Sequence, residues 1–285
     1  MKILIVHGGG AYPQSYPRVL AEELRRAECE VVVRELSSPR SSWAPGLRRN
    51  ADAKRMIAEH EPDLVHVIDD DPEAAEAFVG RGASVLHSTI DRPSAGDWVI
   101  APSREALARV RDAAPGLDYR MTCLPFALDL AETATGVGSY VLARFDPQDE
   151  DAARWVEEAA ARLPDVPVRD EGDVRGARFL LYASSRPEAW PAGVAEAMAA
   201  GRPVIASWAG AASEFVGEAV SGFLYAPGDA AGLAANMEYL WNHPGEALFL
   251  GIQARFEAKQ LFGAEQHAKA LLRIYMRAGA SRLAV

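Results

Sequence analysis

The sequence predicts an α/β protein made of two domains with parallel sheets, and three observations support this prediction. Short apolar runs rich in β-branched residues alternate with helical patterns along the chain, which is the pattern of repeated βαβ units. The alternation is interrupted around residues 125–138 and then starts again. The length of 285 residues suits two modest domains, and an apolar content of 49% is enough to form their cores.

The first half of the chain contains five predicted strands separated by helical patterns. The first strand ends at His7 and runs into Gly8-Gly9-Gly10. A helical face follows at Val19, Leu20 and Leu24, with charged residues on the opposite side. The strands are predicted at residues 3–6, 31–33, 64–68, 85–89 and 98–101, and the later helices at 50–60, 74–80 and 104–113.

The second half repeats this alternation and ends in two helices with no strand after them. Its strands are predicted at residues 140–144, 179–183, 203–207 and 222–225, and its helices at 152–163, 193–200, 244–261 and 264–278. We therefore predict an N-terminal domain of residues 1–134 and a C-terminal domain of residues 135–263. The terminal helix, within residues 264–285, is expected to pack back on the first domain.

The composition excludes several classes of function. A formal net charge of −10 argues against nucleic acid as a partner, because phosphate contacts need a basic surface. Two isolated cysteines, Cys29 and Cys123, form neither a disulfide framework nor a zinc site, and no metal cluster is expected. The apolar run at residues 3–6 is too short for a signal peptide or a membrane span. We expect a cytoplasmic protein and leave a peripheral membrane contact open.

Two glutamates separated by seven residues carry the strongest chemical signal. Glu188 lies in the loop after a predicted strand, and Glu196 lies on the helix that follows. In a doubly wound sheet, ligands bind beyond the carboxyl ends of the strands. A helix N-terminus at that edge suits phosphate, because its N–H groups and its dipole face the ligand. The two carboxylates can accept hydrogen bonds from sugar hydroxyls.

The segment from Glu188 to Ala206 resembles the donor-binding signature of the retaining glycosyltransferases with the GT-B fold, the family of sucrose and glycogen synthases. That signature is a Glu, an aromatic residue, small residues, a second Glu, and a run like Ala197–Ala206. The similarity continues through Gly210, Glu214 and Gly222. It extends more weakly over most of the chain, including Pro62–His66, Trp98–Ser103 and Pro125–Asp129.

The resemblance implies two Rossmann-like domains facing a cleft, and transfer of a sugar from a nucleotide-diphosphate sugar to a hydroxyl acceptor with retention of configuration, as by a hexosyltransferase. Glu188 would hold the donor sugar near the reacting centre, and Glu196 the ribose hydroxyls. Arg144 would contact the diphosphate and neutralise charge on the leaving group. The donor is a substrate, so no cofactor and no metal are expected. The acceptor is a small molecule, a lipid or a glycan.

Further candidates are weaker. Family members commonly carry a histidine near the fourth strand end, in contact with the donor sugar. The natural register places it at Ile90, so His87 is a candidate by proximity only. Trp190 either stacks on a sugar or packs in the core. The remaining candidate donor-binding residues are Pro191, Ala192 and Gly193 after the aromatic residue, and Gly8, Gly9 and Gly10 across the cleft.

Three departures from the family pattern bear on activity. The lysine that usually follows the arginine is absent, because Phe145–Glu150 contains no cation. Arg175, Arg178 and Arg186 are the nearby substitutes. The stretch from Arg144 to Glu188 is short, which predicts a trimmed C-terminal domain and a shortened member of the family. Pro191 stands where a glycine is common, and proline removes one backbone donor.

Three alternatives follow from these departures and from the first glycine loop. The first is a catalytically weak or inactive homologue that binds a sugar nucleotide or a partner. The second is a nucleotide-sugar epimerase, which needs no acceptor. The third is an NAD-dependent enzyme using Gly8-Gly9-Gly10, although position 13 is Pro13 and the glycine motif is incomplete.

Overall fold

The chain forms two compact α/β units in the computed structural model. One unit comprises Met1–Asp129 together with Ala264–Val285, and the other comprises Leu130–Gly263. The structure describes residues 1–8, 12–36, 45–94, 96–116, 120–130, 133–134 and 136–283. Within these residues no helix is long and apolar enough to cross a membrane.

Strands and helices alternate along most of the described chain, which ends in three consecutive helices. The strands are β1 (Lys2–His7), β2 (Glu30–Glu35), β3 (Leu64–Ile68), β4 (Ser84–Ser88), β5 (Trp98–Ala101), β6 (Met121–Cys123), β7 (Val141–Arg144), β8 (Val168–Arg169), β9 (Phe179–Tyr182), β10 (Val204–Ser207) and β11 (Gly222–Tyr225). The helices are α1 (Tyr16–Arg26), α2 (Pro45–His60), α3 (Pro72–Glu76), α4 (Arg104–Ala113), α5 (Glu150–Ala161), α6 (Ala192–Ala200), α7 (Ala212–Phe215), α8 (Ala230–Asn242), α9 (Pro244–Phe262) and α10 (Ala264–Leu283).

The sheet of the first unit has six parallel strands in the order β2-β1-β3-β4-β5-β6. β1 lies inside the sheet, with Ile3 paired to Val31 on one side and to Leu64 on the other. All residues of β3 and β4 are buried. Complete burial of this kind is typical of parallel strands covered on both faces.

The C-terminal helix α10 is part of this first unit and is held by buried polar contacts. The hydroxyl of Tyr275 lies 2.7 Å from His66 Nδ1, and His66 Nε2 lies 2.7 Å from the hydroxyl of Ser88. A second pair joins Tyr16 and His267, with the hydroxyl and Nε2 2.8 Å apart. His66 is therefore a structural histidine whose two ring nitrogens are both occupied.

The second unit has a five-stranded parallel sheet in the order β11-β10-β9-β7-β8. Its core packs α5, α8 and α9 against the central strands through residues such as Trp155, Phe179 and Met237. β8 has only two residues and is followed by a single 3₁₀ turn, Val174–Gly176, before β9. The short connection makes the second unit small, as the short stretch between Arg144 and Glu188 predicts.

The predicted fold class of two Rossmann-like α/β units is confirmed. Two strands were not predicted from the sequence, and both lie at sheet edges. β6 reads Met-Thr-Cys and is only half-buried, and β8 reads Val-Arg. Neither has the apolar run that marks a covered parallel strand, so the neighbouring strand, rather than local sequence, places them.

Candidate functional site

The C-terminal edge of the second sheet gathers the main donor-site residues predicted from the sequence. β7 ends at Arg144, β9 ends at Tyr182 and β10 ends at Ser207. Glu188 lies in the loop after β9, and Glu196 lies on α6, which follows that loop. Ligands of open parallel sheets bind beyond such strand ends, so this edge is the candidate site.

The carboxylate of Glu188 is held by Tyr182, the last residue of β9. The phenolic hydroxyl of Tyr182 donates a hydrogen bond to Glu188 Oε2. Burial, reinforced by the charge of Glu188, raises the pKa of Tyr182, so the phenol stays protonated and remains a donor. Glu188 itself is half-buried, so its second oxygen is available to a ligand.

The loop after β10 fixes the backbone of Glu188 from the other side. Ala211 N donates to Glu188 O over 2.8 Å. Gly210 has a φ of +54°, and a Cβ there would lie 2.3 Å from Glu188 N and 2.6 Å from Glu188 O. Only glycine fits this close approach of two backbones. The glycine that extends the sequence motif is therefore a support for Glu188.

Glu196 lies one turn into α6 and faces Arg144. Its side chain is on the exposed face of the helix. Partial burial raises its pKa, and the charge of Arg144 acts in the opposite direction. A Cβ at Gly193 would lie 3.8 Å from Arg144 Cγ and 3.7 Å from the Tyr182 ring. Arg144, Tyr182 and the first turn of α6 therefore meet at one place.

The N-terminus of α6 carries no side-chain cap. Pro191 occupies the N-cap position and its carbonyl accepts a 3.0 Å hydrogen bond from Val194 N. Proline has no N–H of its own, so the anion-binding potential of this end lies with the first-turn amides of Ala192 and Gly193. Ala192 is exposed and Gly193 is half-buried, so a ligand at the sheet edge can reach this turn.

Arg144 is oriented by backbone carbonyls beyond β8. Its guanidinium donates to Asp170 O, and Nη2 lies 3.2 Å from Gly172 O. These contacts hold the positive charge at the sheet edge beside Glu196. They also occupy some N–H groups of the guanidinium, so fewer of them are left to bind an anion.

The structure separates the three arginines that the sequence offers in place of the missing lysine. Arg175 and Arg178 precede β9 and therefore lie at the N-terminal edge of the sheet. Arg178 is stacked on Trp241 at 3.8 Å and donates to its carbonyl. Arg186 follows β9, at the candidate-site edge, and its Nη2 lies 3.7 Å from Asp146 Oδ2.

Asp149 ties two loops of the site together. Its carboxylate caps α5 through Ala152 N at 3.1 Å and accepts from Ser185 N at 2.8 Å and Ser185 Oγ at 2.6 Å. Burial acts to raise the pKa of Asp149, but the hydrogen bonds from Ser185 and Ala152 hold it below the usual range. The loop that carries Arg186 and Glu188 is thereby anchored to the start of α5.

The ring of Trp190 is buried in an aromatic cluster. Its centroid lies 5.6 Å from that of Phe215 and 5.8 Å from that of Phe262, both in edge-to-face geometry. The side chain is 6% exposed. Of the two alternatives given by the sequence, the structure shows the core position, where the ring supports the loop and α6 from behind.

Of the candidates in the first unit, Gly8 and His87 are described, whereas Gly9 and Gly10 lie outside the described residues. A Cβ on Gly8 would lie 1.9 Å from Asp69 Oδ2, so a larger residue there would displace the carboxylate of Asp69. His87 is fully buried, and its Nε2 lies 2.8 Å from Asp69 O. Burial lowers the pKa of His87 to about 4, so the ring is neutral. Direct contact with a ligand would require His87 to leave this enclosed position.

Sequence reasoning missed Tyr182 and Asp149. An aspartate before a helical pattern is a recognisable N-cap signal, so Asp149 could have been predicted as a cap. Its hydrogen bonds to Ser185 join residues 36 positions apart, and no local sequence pattern predicts such a contact. Among the residues that the structure describes, no group of three His, Cys, Asp or Glu side chains is arranged to hold a metal ion.

Comparison with known proteins agrees with the geometry. The sequence model of the family described as glycosyl transferases group 1 matches residues 167–243, the segment that contains Glu188, Glu196 and Gly210. The resemblance found in the sequence is thus confirmed. No curated protein matches the chain significantly.

Solved structures share the fold over nearly the whole chain. HepE from Anabaena, determined in complex with UDP, has a TM-score of 0.68 at 17% identity and covers 96% of this chain and 99% of its own. Sucrose-phosphate synthase from Thermosynechococcus elongatus has a TM-score of 0.76 at 17% identity, covering 98% and 99%. A glycosyltransferase from Rickettsia africae has a TM-score of 0.74 at 15% identity, covering 97% and 98%. At these identities the likeness confirms the GT-B fold class.

Proposed function

We propose that this protein is a retaining glycosyltransferase that moves a sugar, as a hexosyltransferase does, from a nucleotide-diphosphate sugar to a hydroxyl acceptor. The observation that carries the proposal is the meeting of Arg144, Glu196, the uncapped N-terminus of α6 and the Tyr182–Glu188 pair at one strand edge. Cationic and N–H groups there suit a diphosphate, and the carboxylates suit ribose and sugar hydroxyls. The family match over residues 167–243 supports the same assignment.

Each group has a distinct part in the proposed reaction. The bond between the anomeric carbon and the β-phosphate oxygen breaks, and the nucleoside diphosphate leaves with the electron pair. Arg144 and the α6 amides neutralise the charge that develops on it. The acceptor oxygen forms the new bond to the anomeric carbon, and its proton passes to the leaving phosphate. Glu188 orients the sugar, and Glu196 accepts from the ribose hydroxyls.

Arg186 supplies a second cation for the diphosphate in this proposal. It follows β9 at the same edge, and Asp146 lies within ion-pair distance of it. We expect Arg186→Gln to weaken binding of the nucleoside diphosphate roughly tenfold and to leave binding of the nucleoside unchanged, because only the diphosphate carries the charge. Arg175→Gln, the same change at the opposite edge, is the matched control. Equal affinity of wild type and Arg186→Gln for the diphosphate would contradict this role.

The first experiment is a thermal-shift screen with UDP, GDP, ADP, TDP and their sugars. HepE was determined with UDP, which makes uridine the first base to test. A ligand at about a hundred times its Kd stabilises the folded state by about 2.7 kcal/mol. We expect one nucleotide series to raise the Tm of wild type but not of Glu196→Ala. Glu157→Ala, an exposed glutamate on α5, is the control and should respond as wild type does.

Turnover then separates the proposal from its alternatives. Release of nucleoside diphosphate that depends on a hydroxyl acceptor, a small molecule, lipid or glycan, supports transfer, and NMR of the product reports the anomeric configuration. Binding without release across a broad acceptor set would favour a sugar-nucleotide-binding homologue that does not turn over. Interconversion of the sugar without acceptor would favour an epimerase. No stabilisation by any nucleotide would overturn the donor site itself.

A further inference from the structure

Helix α9 exposes a continuous apolar stripe. Leu248, Phe249, Ile252 and Phe256 are 45%, 54%, 59% and 59% exposed. Their spacings of one, three and four residues place them on one face of the helix. The opposite face, with Ala247, Leu250, Ala254, Ala258 and Phe262, is buried in the second unit. The second unit thus packs against only one face of α9, and the stripe takes no part in its core.

A cavity lies between the first turns of α9 and its neighbours α8 and β11. It has a volume of about 390 Å³ and is lined by residues of β11, α8 and α9 together with Ala219. Phe223, Tyr239 and Leu250 give it apolar walls, and Glu246 lies at its edge. Tyr239 and the nearby Val220 are themselves 42% and 45% exposed. An exposed, contiguous apolar surface such as the stripe commonly marks a protein interface.

We propose that α9 is the interface of a homodimer, formed by antiparallel packing of its stripe on the same stripe of a second copy. Along the axis of α9, opposite charges lie beyond the two ends of the stripe, Glu246 in the first turn and Lys259 in the last. In an antiparallel pair, each Glu246 comes to the end where Lys259 of the partner subunit lies. A parallel pair would place like charges together. The helix face is therefore complementary to itself under a two-fold axis, as an isologous dimer requires.

The sequence positions are consistent with this axis. With the axis near Ile252, Phe249 faces Phe256 of the partner subunit, and the aromatic side chains flank the central isoleucines. Aromatic side chains buried against each other in this way contribute to the binding energy of an interface.

The charge on the surface disfavours a membrane as the occupant. The chain carries a formal net charge of −10, which repels an anionic bilayer. Of the two basic residues on α9, Arg255 donates to Ala199 O and Leu130 O within its own unit. Lys259 alone is left beside the stripe, and it is balanced by Glu246 at the other end.

The first test is the oligomeric state of the full chain, measured by light scattering after size exclusion and by sedimentation equilibrium. We expect wild type at twice the 30.7 kDa of one chain. Ile252→Asp places two carboxylates against each other near the two-fold axis and should raise the dimer Kd at least about a hundredfold. Met276→Asp, a 63% exposed methionine on α10, is the matched control and should remain dimeric. The Tm of each dilute monomer checks that folding is unchanged.

The second test exploits the charge pattern. Lys259→Glu places like charges at both ends of the dimer and should raise its Kd about three- to tenfold. Adding Glu246→Lys restores opposite charges and should return the Kd to near the wild-type value. Rescue of this kind is expected for an antiparallel self-contact and not for an unrelated partner.

Three results would overturn the proposal. Wild type could remain at 30.7 kDa at high concentration, or the dimer could be insensitive to Ile252→Asp. Alternatively, a monomeric wild type could float with phosphatidylcholine vesicles and lose this property in Ile252→Asp, which would make α9 a lipid-contacting surface. These measurements use no nucleotide, so they stand or fall independently of the proposed transferase activity.

Discussion

Tyr182 donates a hydrogen bond to Oε2 of Glu188, and this contact joins the end of a core strand to the loop carboxylate that we assign to the donor sugar. Removing the donor leaves Glu188 without its strand anchor, so we expect Tyr182→Phe to weaken binding of the nucleotide sugar roughly tenfold. Affinity for the nucleoside diphosphate alone should stay within about twofold, because the sugar is the part that Glu188 holds. Isothermal titration calorimetry with both ligands measures the two affinities and their ratio.

Tyr225→Phe is the control for this change. Tyr225 is also the last residue of a strand, β11, and its ring belongs to the core cluster. The Tyr225→Phe substitution should leave unchanged the ratio of the affinity for the nucleotide sugar to the affinity for the nucleoside diphosphate. Equal weakening of both ligands by Tyr182→Phe would indicate a general loss of structure and contradict the positioning role.

Gly210 and Gly228 both have positive φ, but only Gly210 lies against Glu188. Gly228→Ala introduces a methyl group with no atom within 4 Å, so it should cost only the backbone strain, about 1–2 kcal/mol. Gly210→Ala adds a clash with the Glu188 backbone at 2.3 Å and should be clearly more destabilising. It should also abolish the response to nucleotide sugar. Chemical unfolding of both variants measures the difference, and equal losses would show that the contact with Glu188 is unimportant.

Asp149 should contribute more to stability than an ordinary helix cap. Asp229 caps α8 through Gly232 N at 2.8 Å, whereas Asp149 caps α5 and also accepts two hydrogen bonds from Ser185. We expect Asp149→Ala to cost about 2 kcal/mol and Asp229→Ala about half of that. The pKa of Asp149 is lowered by these bonds, so its extra contribution is present above the ordinary pKa of 3.8 and lost as the pH falls below it.

The three buried histidines of the first unit predict acid sensitivity. Burial lowers the pKa of His66 to about 3, of His87 to about 4 and of His267 to about 4, from an unfolded value of 6.5. The unfolded chain binds more protons than the folded chain between these values. The free energy of unfolding should therefore be on a plateau above about pH 6.5 and fall as the pH drops toward about 4.

Two carboxyl groups, Glu196 and Asp69, oppose this trend, because burial raises the pKa of each. Burial raises the pKa of Asp69 to about 6, so the folded state binds the additional proton between that value and 3.8 and gains stability as the pH falls. The three histidines outweigh these two carboxyl groups, so the free energy of unfolding should show a net loss toward acid pH. His66→Asn should reduce the slope of Tm against pH between pH 6.5 and 4.5, whereas the same change at exposed His243 should not. An identical slope in both variants would contradict the role of His66.

The sequence by itself determined the class of fold and the motif of the site. Alternation of apolar runs with helical patterns indicates parallel sheets because strands covered on both faces are largely apolar. Glu188, Glu196 and the small-residue run after them were recognisable because together they resemble a family signature that is contiguous in the sequence. Edge strands such as β6 and β8 carried too little of this local signal to be predicted.

Only the tertiary structure decided how the site is supported. Tyr182, Asp149 and Gly210 act on the loop through contacts that join different strand ends, and the register of the parallel sheet brings those ends together. The same register divides Arg186 from Arg175 and Arg178, which are neighbours in sequence but lie at opposite edges. The type of a side chain fixes what it can bind. Whether it binds depends on how buried it is and at which edge of the sheet it lies, and both depend on the packing of segments that are distant in sequence.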